Sequence, residues 1–408
     1  MKNKIHLLLL SVFIIASTSC KKDLSFVNTG KPLVLTADEQ QMAVADNSFN
    51  FKLFNNIAAT NSNNTNLLLS PLSVSIAMAM AVNGSNSATL NAINNTMNFN
   101  GFTQIQLNSY YNNLVTNLPL LDPNTTLKIA NSIWYTQTLS VLPQFLQTNT
   151  QYYNATVQSL DFSNPASVNT INSWVNAQTN GKIPTIIDQI PSNAMMYLIN
   201  AIYFKSTWKD RFDVAQTSKQ TFYLADNTQV RTDFMTGKIA CNTYNDSTIS
   251  VFELPYANGR YSMVIAMPVN GKTAAGLAAN INQVTWQGWM SKLSPETQTI
   301  SLPKFKFSYD ILLNNALTAL GMGNAFSNSA DFSKISAAGG LQINQVKHKT
   351  FIEVDENGTE AAAVTSVGFV ATVSLGPPPI NHPFIFAIRE MSTGLILFTG
   401  IVNNPLNN

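Results

Sequence analysis

The sequence predicts an α+β fold with largely antiparallel sheets, on three observations. Two pairs of apolar, strand-like runs are joined by short turns. Val251 to Pro255 and Tyr261 to Met267 flank Asn258-Gly259, a strong short hairpin signal, and Phe384 to Ile388 with Leu395 to Val402 form a second hairpin near the C-terminus. Helical patterns fall between strands without the strict strand–helix alternation of a parallel sheet. A chain of 408 residues that is 45% hydrophobic and 11% charged has material for a large core and lacks the composition of a disordered chain.

Taken in order, residues 24–35 carry Gly30 and Pro32 and little helical pattern, as suits a tether. Thr36 and Glu39 have capping-box spacing, and Ala45, Phe49, Leu53 and Ile57 then recur four apart on one helix face. An Asn/Thr loop at residues 60–65 ends that helix. Ser70-Pro71 supplies an N-cap and a first-turn proline for a helix from Val74 to Val82, apolar nearly all round and therefore buried. Leu127, Ile129, Ile133 and Tyr135 follow the period of a strand. Tyr197 to Phe204, apolar except for Asn200, reads as a central strand covered on both faces. No internal repeat or linker divides residues 36–408, which are read as one domain.

Much chemistry is excluded. Without Lys2 and Lys4 of the leader, 21 basic residues balance 21 acidic ones, so no charge surplus is available for nucleic acid. Two cysteines are too few for a disulfide scaffold, a CxxC site or a thiolate zinc site, and Cys241 reads as a small core residue. Beyond the leader there are two histidines, His348 and His382, the latter in a turn beside Pro383. HExxH, GxSxG and P-loop motifs are absent, and Gly321-Met322-Gly323 reaches Phe326 where a third glycine would be needed. The reading is of a protein that is not an enzyme and holds no cofactor or metal.

The unusual segment starts after the apolar strand Phe351 to Val354. It runs Glu356-Asn357-Gly358-Thr359-Glu360-Ala361-Ala362-Ala363-Val364-Thr365 and ends in Gly376-Pro377-Pro378-Pro379. Small and β-branched residues anchor a loop poorly, yet they suit a strand that must enter a crowded sheet. With the surrounding motifs this resembles the serpin family from about residue 36 onward. The matching segments are Leu69 to Val74, Ala130 to Trp134, Ile171 to Val175 with Thr179 to Ile183, Leu198 to Lys205 with Trp208, and Leu302 to Lys304. Ala325 to Ser333, the hinge Glu356 to Ala363, and Pro383-Phe384 complete the match.

The resemblance implies three β-sheets, eight or nine helices and an exposed reactive loop at about 357–380. It implies suicide inhibition of a serine protease: the loop is cleaved at an acyl-enzyme stage and its hinge side inserts into the central sheet. Gly358 to Thr372 would add a strand roughly 50 Å long. Thr359, Ala361, Ala363 and Thr365 would face the core, while Glu360, Ala362 and Val364 face out. By the same resemblance Ser70, Ser73, Asn200 and His348 form a polar cluster controlling sheet opening. Glu356 and Lys304 form a surface pair at the entry, with Trp208 beside it. Loop lengths typical of the family place the cleaved bond at Thr372-Val373. Small residues there, with no Lys or Arg between Gly358 and Ile388, point to an elastase-like target. A papain-like cysteine protease is the alternative target, and a non-inhibitory binding protein the alternative role.

At the N-terminus, Lys2 and Lys4 precede an apolar stretch, Leu7 to Ser19, too short to span a bilayer. Ser17-Thr18-Ser19-Cys20 followed by Lys21-Lys22 resembles the lipobox of a bacterial lipoprotein. This implies a signal peptide at 1–19, lipid on Cys20, and a lipidated tether at 20–35. The expected location is the cell envelope, at the outer membrane or cell surface, or otherwise secreted. The expected partners of this monomer are the membrane, through its lipid, and the target protease.

Overall fold

The computed structural model describes residues 32–61, 65–359 and 379–407. Cys20, the hinge positions Glu360, Ala361, Ala362 and Ala363, and the Thr372-Val373 bond lie outside the described residues.

Helix α1 (Ala37–Thr60) starts at the anticipated capping box, with the Thr36 hydroxyl accepting from the Glu39 amide and the Glu39 carboxylate from the Thr36 amide. In α2 (Pro71–Val82) the Ser70 hydroxyl accepts from the Ser73 amide, and every residue is buried. Next come α3 (Ser87–Met97), α4 (Gln104–Asn117), α5 (Pro143–Tyr153) and α6 (Ala166–Gln178). With α7 (Ala274–Asn280), α8 (Gln283–Met290) and α9 (Asn314–Leu317) they make nine α-helices among the described residues.

The strands are, in chain order, β1 (Leu67–Leu69), β2 (Thr125–Thr136), β3 (Thr156–Leu160), β4 (Met196–Thr207), β5 (Ser218–Tyr223), β6 (Gln229–Asn245) and β7 (Ile249–Pro255). They continue with β8 (Tyr261–Pro268), β9 (Ser294–Pro303), β10 (Phe305–Leu312), β11 (Lys347–Asp355), β12 (Gly358–Thr359), β13 (Phe384–Glu390) and β14 (Ile396–Val402). The central sheet has the order β10-β11-β12-β4-β2-β3, antiparallel except for the β2–β3 pair. The other eight strands form one hydrogen-bonded net, because the 17-residue β6 pairs with β5 through its first residues, with β7 through its last, and with β9 between. The three sheets expected are thus a central sheet and two that share one long strand. Both anticipated hairpins form, β7–β8 and β13–β14.

Alternation along β4 sends Ile202 and Phe204 into the main core and Ile199 and Ala201 under α6, beside Ile171 and Val175. Coverage on both faces therefore holds for the second half of the strand. Met196, Tyr197 and Leu198 are only half-buried, because they border a cavity.

Two of the buried titratable groups, Asp46 and His348, have pKa values shifted in opposite directions. On α1, which packs on α2, Asp46 is buried and accepts from the Tyr110 and Tyr111 hydroxyls at 2.8 Å each. Burial pushes its pKa from 3.8 up to about 6, against the pull of those hydrogen bonds. His348 in β11 is buried as the neutral ring, desolvation lowering its pKa from 6.5 to about 4. Between pH 3.8 and about 6 only the folded protein holds the Asp46 proton, so that contribution to stability falls as pH rises. Between about 4 and 6.5 only the unfolded chain holds the His348 proton, so that contribution rises. Each slope is about 1.4 kcal/mol per pH unit, and over their shared window they cancel. Asp46→Asn should therefore gain stability relative to the native protein by about 1.4 kcal/mol per pH unit as pH rises through that window. Denaturant unfolding of both proteins at spaced pH values checks this, and parallel profiles would refute it.

Candidate functional site: a parted central sheet

The segment after β11 turns at once into the sheet. Asp355 Oδ1 accepts from the Asn357 and Gly358 amides at 2.8 and 3.3 Å, and this tight turn sets β12 between β11 and β4. Gly358 pairs with Asp355 and Thr207, and Thr359 pairs with Val354 and Ser206. Beyond this two-residue wedge, β4 and β11 share no pairing among the described residues. Glycine is required at the wedge: Gly358 has φ +153°, and a Cβ there would lie 2.0 Å from the Ser206 carbonyl oxygen.

An aromatic stack holds the wedge from below. Trp208 lies parallel to Tyr256, with ring centroids 4.6 Å apart, and its indole Nε1 donates to the Asp355 carbonyl at 2.9 Å. The Trp208 and Phe212 amides donate to the carbonyls of Asn357 and Glu356. Thr359 faces the core, 3% exposed, with its hydroxyl 2.5 Å from that of Tyr256. Its anticipated inward phase is what the structure places there.

The Glu356–Lys304 pair is not the surface pair expected. Lys304 Nζ donates to both carboxylate oxygens at 2.8 and 3.1 Å and Thr217 donates at 2.7 Å, while the Glu356 side chain is only 5% exposed. Burial alone would raise the Glu356 pKa, but these hydrogen bonds outweigh it and hold the carboxyl below its ordinary value. The correction follows from the turn, which points the side chain in under the chain rather than out to water.

Further along the parted strands, the Ser70 amide donates to His348 Nε2 at 3.0 Å and the Ser70 hydroxyl to the Leu397 carbonyl at 2.9 Å. A neutral ring accepting at Nε2 carries its proton on Nδ1. The Ser73 hydroxyl reaches the backbone carbonyl of Asn200 at 3.4 Å. The Asn200 amide donates to Asn131 Oδ1 at 2.6 Å, and its own Oδ1 is buried without a partner. The structure thus brings Ser70, Ser73, Asn200 and His348 together around the start of α2, with Asn131 as the Asn200 amide's partner.

Tyr256, Asn131 and Thr217 are site residues that the sequence did not single out. Tyr256 sits just ahead of the Asn258-Gly259 turn, and no local pattern marks a partner for Trp208 or Thr359. His382 lies in a bend, its ring stacked on Tyr223 at 5.1 Å. Cys241 is buried in β6, where desolvation raises its pKa to about 11, so the thiol is unreactive. Among the described residues no three His, Cys, Asp or Glu side chains gather as a metal site.

An α+β molecule whose central sheet is parted around the start of a long loop is a distinctive class of fold. The family model for Serpin (serine protease inhibitor) matches residues 44–405, and the chain belongs to this family. Serpins are inhibitors, so the chain is not an enzyme. Human leukocyte elastase inhibitor is 34% identical over 385 residues, covering 90% of this chain and all of that one. The crystal structure of tengpin, a thermophilic serpin, in its native state superposes with a TM-score of 0.81 at 31% identity, covering 92% of this chain and 97% of that one. Human thyroxine-binding globulin, solved with its hormone, superposes at 0.81 with 28% identity, covering 90% of this chain and all of that one.

Gly358→Ala should expel the wedge, because the Cβ collides with backbone rather than with a yielding side chain. The Trp208 and Phe212 amides, which bond the carbonyls of Asn357 and Glu356, should then exchange hydrogen at least about tenfold faster, the equivalent of about 1.4 kcal/mol of lost protection. Unchanged exchange at both would show that glycine is not needed at the wedge.

Proposed function

We propose that the protein is a suicide inhibitor of serine proteases of the elastase type, trapping the acyl-enzyme as its cleaved loop inserts between β4 and β11. The observation that carries this reading is the slot itself. Two strands of a sheet, aligned and unpaired with each other, are entered by the first residues of a loop whose inward positions are small. Continuing the register of Thr359 sets Ala361 between Phe204 and Ile352, Ala363 between Ile202 and Thr350, and Thr365 between Asn200 and His348. Glu360 falls outward between Lys205 and Glu353, where its charge stays solvated. Small residues meet large neighbours, and the hydroxyl meets the polar pair.

The likeness to human leukocyte elastase inhibitor supports an elastase-type target, as do the small residues around Thr372. A papain-like cysteine protease is the second target class that this loop suits. A non-inhibitory, ligand-carrying role has support from the likeness to thyroxine-binding globulin, but the small residues at the inward positions Thr359, Ala361 and Ala363 favour inhibition. The protein works at a cell envelope, at the outer membrane or cell surface, tethered through residues 20–35 by lipid on Cys20 after removal of residues 1–19.

Three variants test the reading. Thr359→Arg would bury a guanidinium beside Tyr256 at the first step of insertion, an uncompensated charge costing several kcal/mol. The variant should be cleaved by pancreatic elastase and released, and a denaturing gel gives the ratio of covalent complex to cleaved free protein. Trapping at the native ratio would overturn insertion as the mechanism. Thr372→Arg should redirect trapping from elastase to trypsin, since a deep acidic pocket takes Arg and a shallow one refuses it. N-terminal sequencing of the released fragment locates the bond, and a cut far from residues 372–374 would displace the assignment. Cys20→Ala should move the protein from the detergent phase to the aqueous phase. A native N-terminal peptide that carries no lipid by mass spectrometry would rule the anchor out.

A further inference from the structure

Arg260 lies in the β7–β8 turn, one residue ahead of β8, and is only 5% exposed. Its backbone is engaged, the carbonyl accepting from the Met391 amide at 2.9 Å. Its side chain is not. Among the described residues the guanidinium forms no ion pair and no hydrogen bond; Nε is sealed from solvent without an acceptor, whereas Nη1 and Nη2 are not sealed. Three carboxylates around this turn are buried as well, and each is committed elsewhere. Asp122 accepts from the Asn258 amide at 3.1 Å, from Asn258 Nδ2 at 3.2 Å and from the Asn124 amide at 2.8 Å. Glu390, the strand partner of Tyr261, accepts from the amides and hydroxyls of Ser392 and Thr393. Glu253 accepts from Arg389, Ser262 and Asn242. All three are saturated by other donors. A guanidinium cannot give up its proton, so Arg260 is a buried cation without a bonded counter-ion.

We propose that Arg260 anchors a binding site for a small free monocarboxylate, held end-on by Nη1 and Nη2. A planar carboxylate matches the guanidinium fork and makes two parallel charge-assisted hydrogen bonds with it. Nε is enclosed and out of a ligand's reach, so the two terminal nitrogens are the ones that meet it. The side chain shows so little surface that only the carboxylate end of a compact molecule can approach. A neutral acceptor would leave the buried charge uncompensated. A dianion such as sulfate or phosphate would bring a second negative charge into the field of the three buried carboxylates. That field reaches the turn: after burial itself, Glu390 and Asp122 push the phenol of the adjacent Tyr261 above its ordinary pKa. The site lies apart from the slot between β4 and β11 and does not rest on the insertion reading.

Acetate is the probe and sulfate its control, each titrated at neutral pH and constant ionic strength into the whole protein carrying isotope-labelled arginine. Four arginines, Arg211, Arg231, Arg260 and Arg389, each give one Nε–H resonance. Acetate should shift the Arg260 resonance along a saturable curve and leave the other three in place. Arg260→Met should remove that resonance and with it the saturable response. Sulfate should act on the same resonance at least about tenfold more weakly. If Arg260→Met does not fold, Arg211→Lys and Arg231→Lys identify the two exposed residues, and of the remaining pair only Arg389 has its Nε bonded to Glu253. The absence of a saturable shift, or one carried by Arg211, Arg231 or Arg389 instead, would overturn the site. Sulfate binding as tightly as acetate would overturn the assignment to a monocarboxylate.

Discussion

The whole arrangement depends on one absence of bonding: β4 and β11 lie in the same sheet, and among the described residues only Gly358 and Thr359 join them. Backbone groups in a sheet interior need partners, and each ladder bond is worth about 1 kcal/mol net once water is accounted for. A strand that entered the slot would form a ladder on both sides. On the proposed mechanism, that unformed ladder is free energy held in a specific place and released along a specific path. The buried α2 is the fixed floor of that path. Its N-terminus anchors the β11 side through Ser70 and His348 and touches β4 through Ser73 and Asn200.

The wedge is held by interactions of unequal kind. The Trp208–Tyr256 stack is apolar and tolerant of small shifts, so it positions the wedge without demanding one geometry. The Glu356 carboxylate is another matter, since it is buried and accepts from both Lys304 and Thr217. A desolvated carboxylate with that many donors cannot leave them cheaply, whereas an exposed ion pair could. On the proposed insertion, the turn before the slot would stay fixed while the residues after it enter the sheet. A hinge requires that division of roles.

Elements governed by local chemistry were legible in the sequence: the capping box of α1, the Ser70-Pro71 start of α2, and the Asn258-Gly259 hairpin each follow from a few adjacent residues. The inward phase of Thr359 was legible for the same reason, because alternation is local. The burial of Glu356 was not, since it depends on the turn at Asp355 and on Thr217, more than a hundred residues away in sequence. Tyr256 and Asn131 escaped notice because their partners come from distant strands, and neither carries a pattern at its own position. The cavity beside Met196 to Leu198 was likewise invisible. An apolar run reads as buried on both faces whether its neighbouring strand is paired with it or stands away.

Register is where the wedge matters most. A strand entering an empty slot could slide, and a slip of one residue would turn Ala361 and Ala363 to the solvent face and drive Glu360 and Val364 into the core. The wedge removes that freedom before any cleavage occurs. Gly358 can approach Ser206 only because it lacks a Cβ, and Thr359 is pinned between Ser206 and Val354 with its hydroxyl on Tyr256. The first pair of an antiparallel ladder is its costliest, because it orders chain without neighbours to reward the ordering. Here that pair exists in the uncleaved protein. On the proposed insertion, every later residue would join a ladder whose phase is already set, which would let a chemically plain stretch of small residues find one register quickly enough to compete with hydrolysis of an acyl-enzyme.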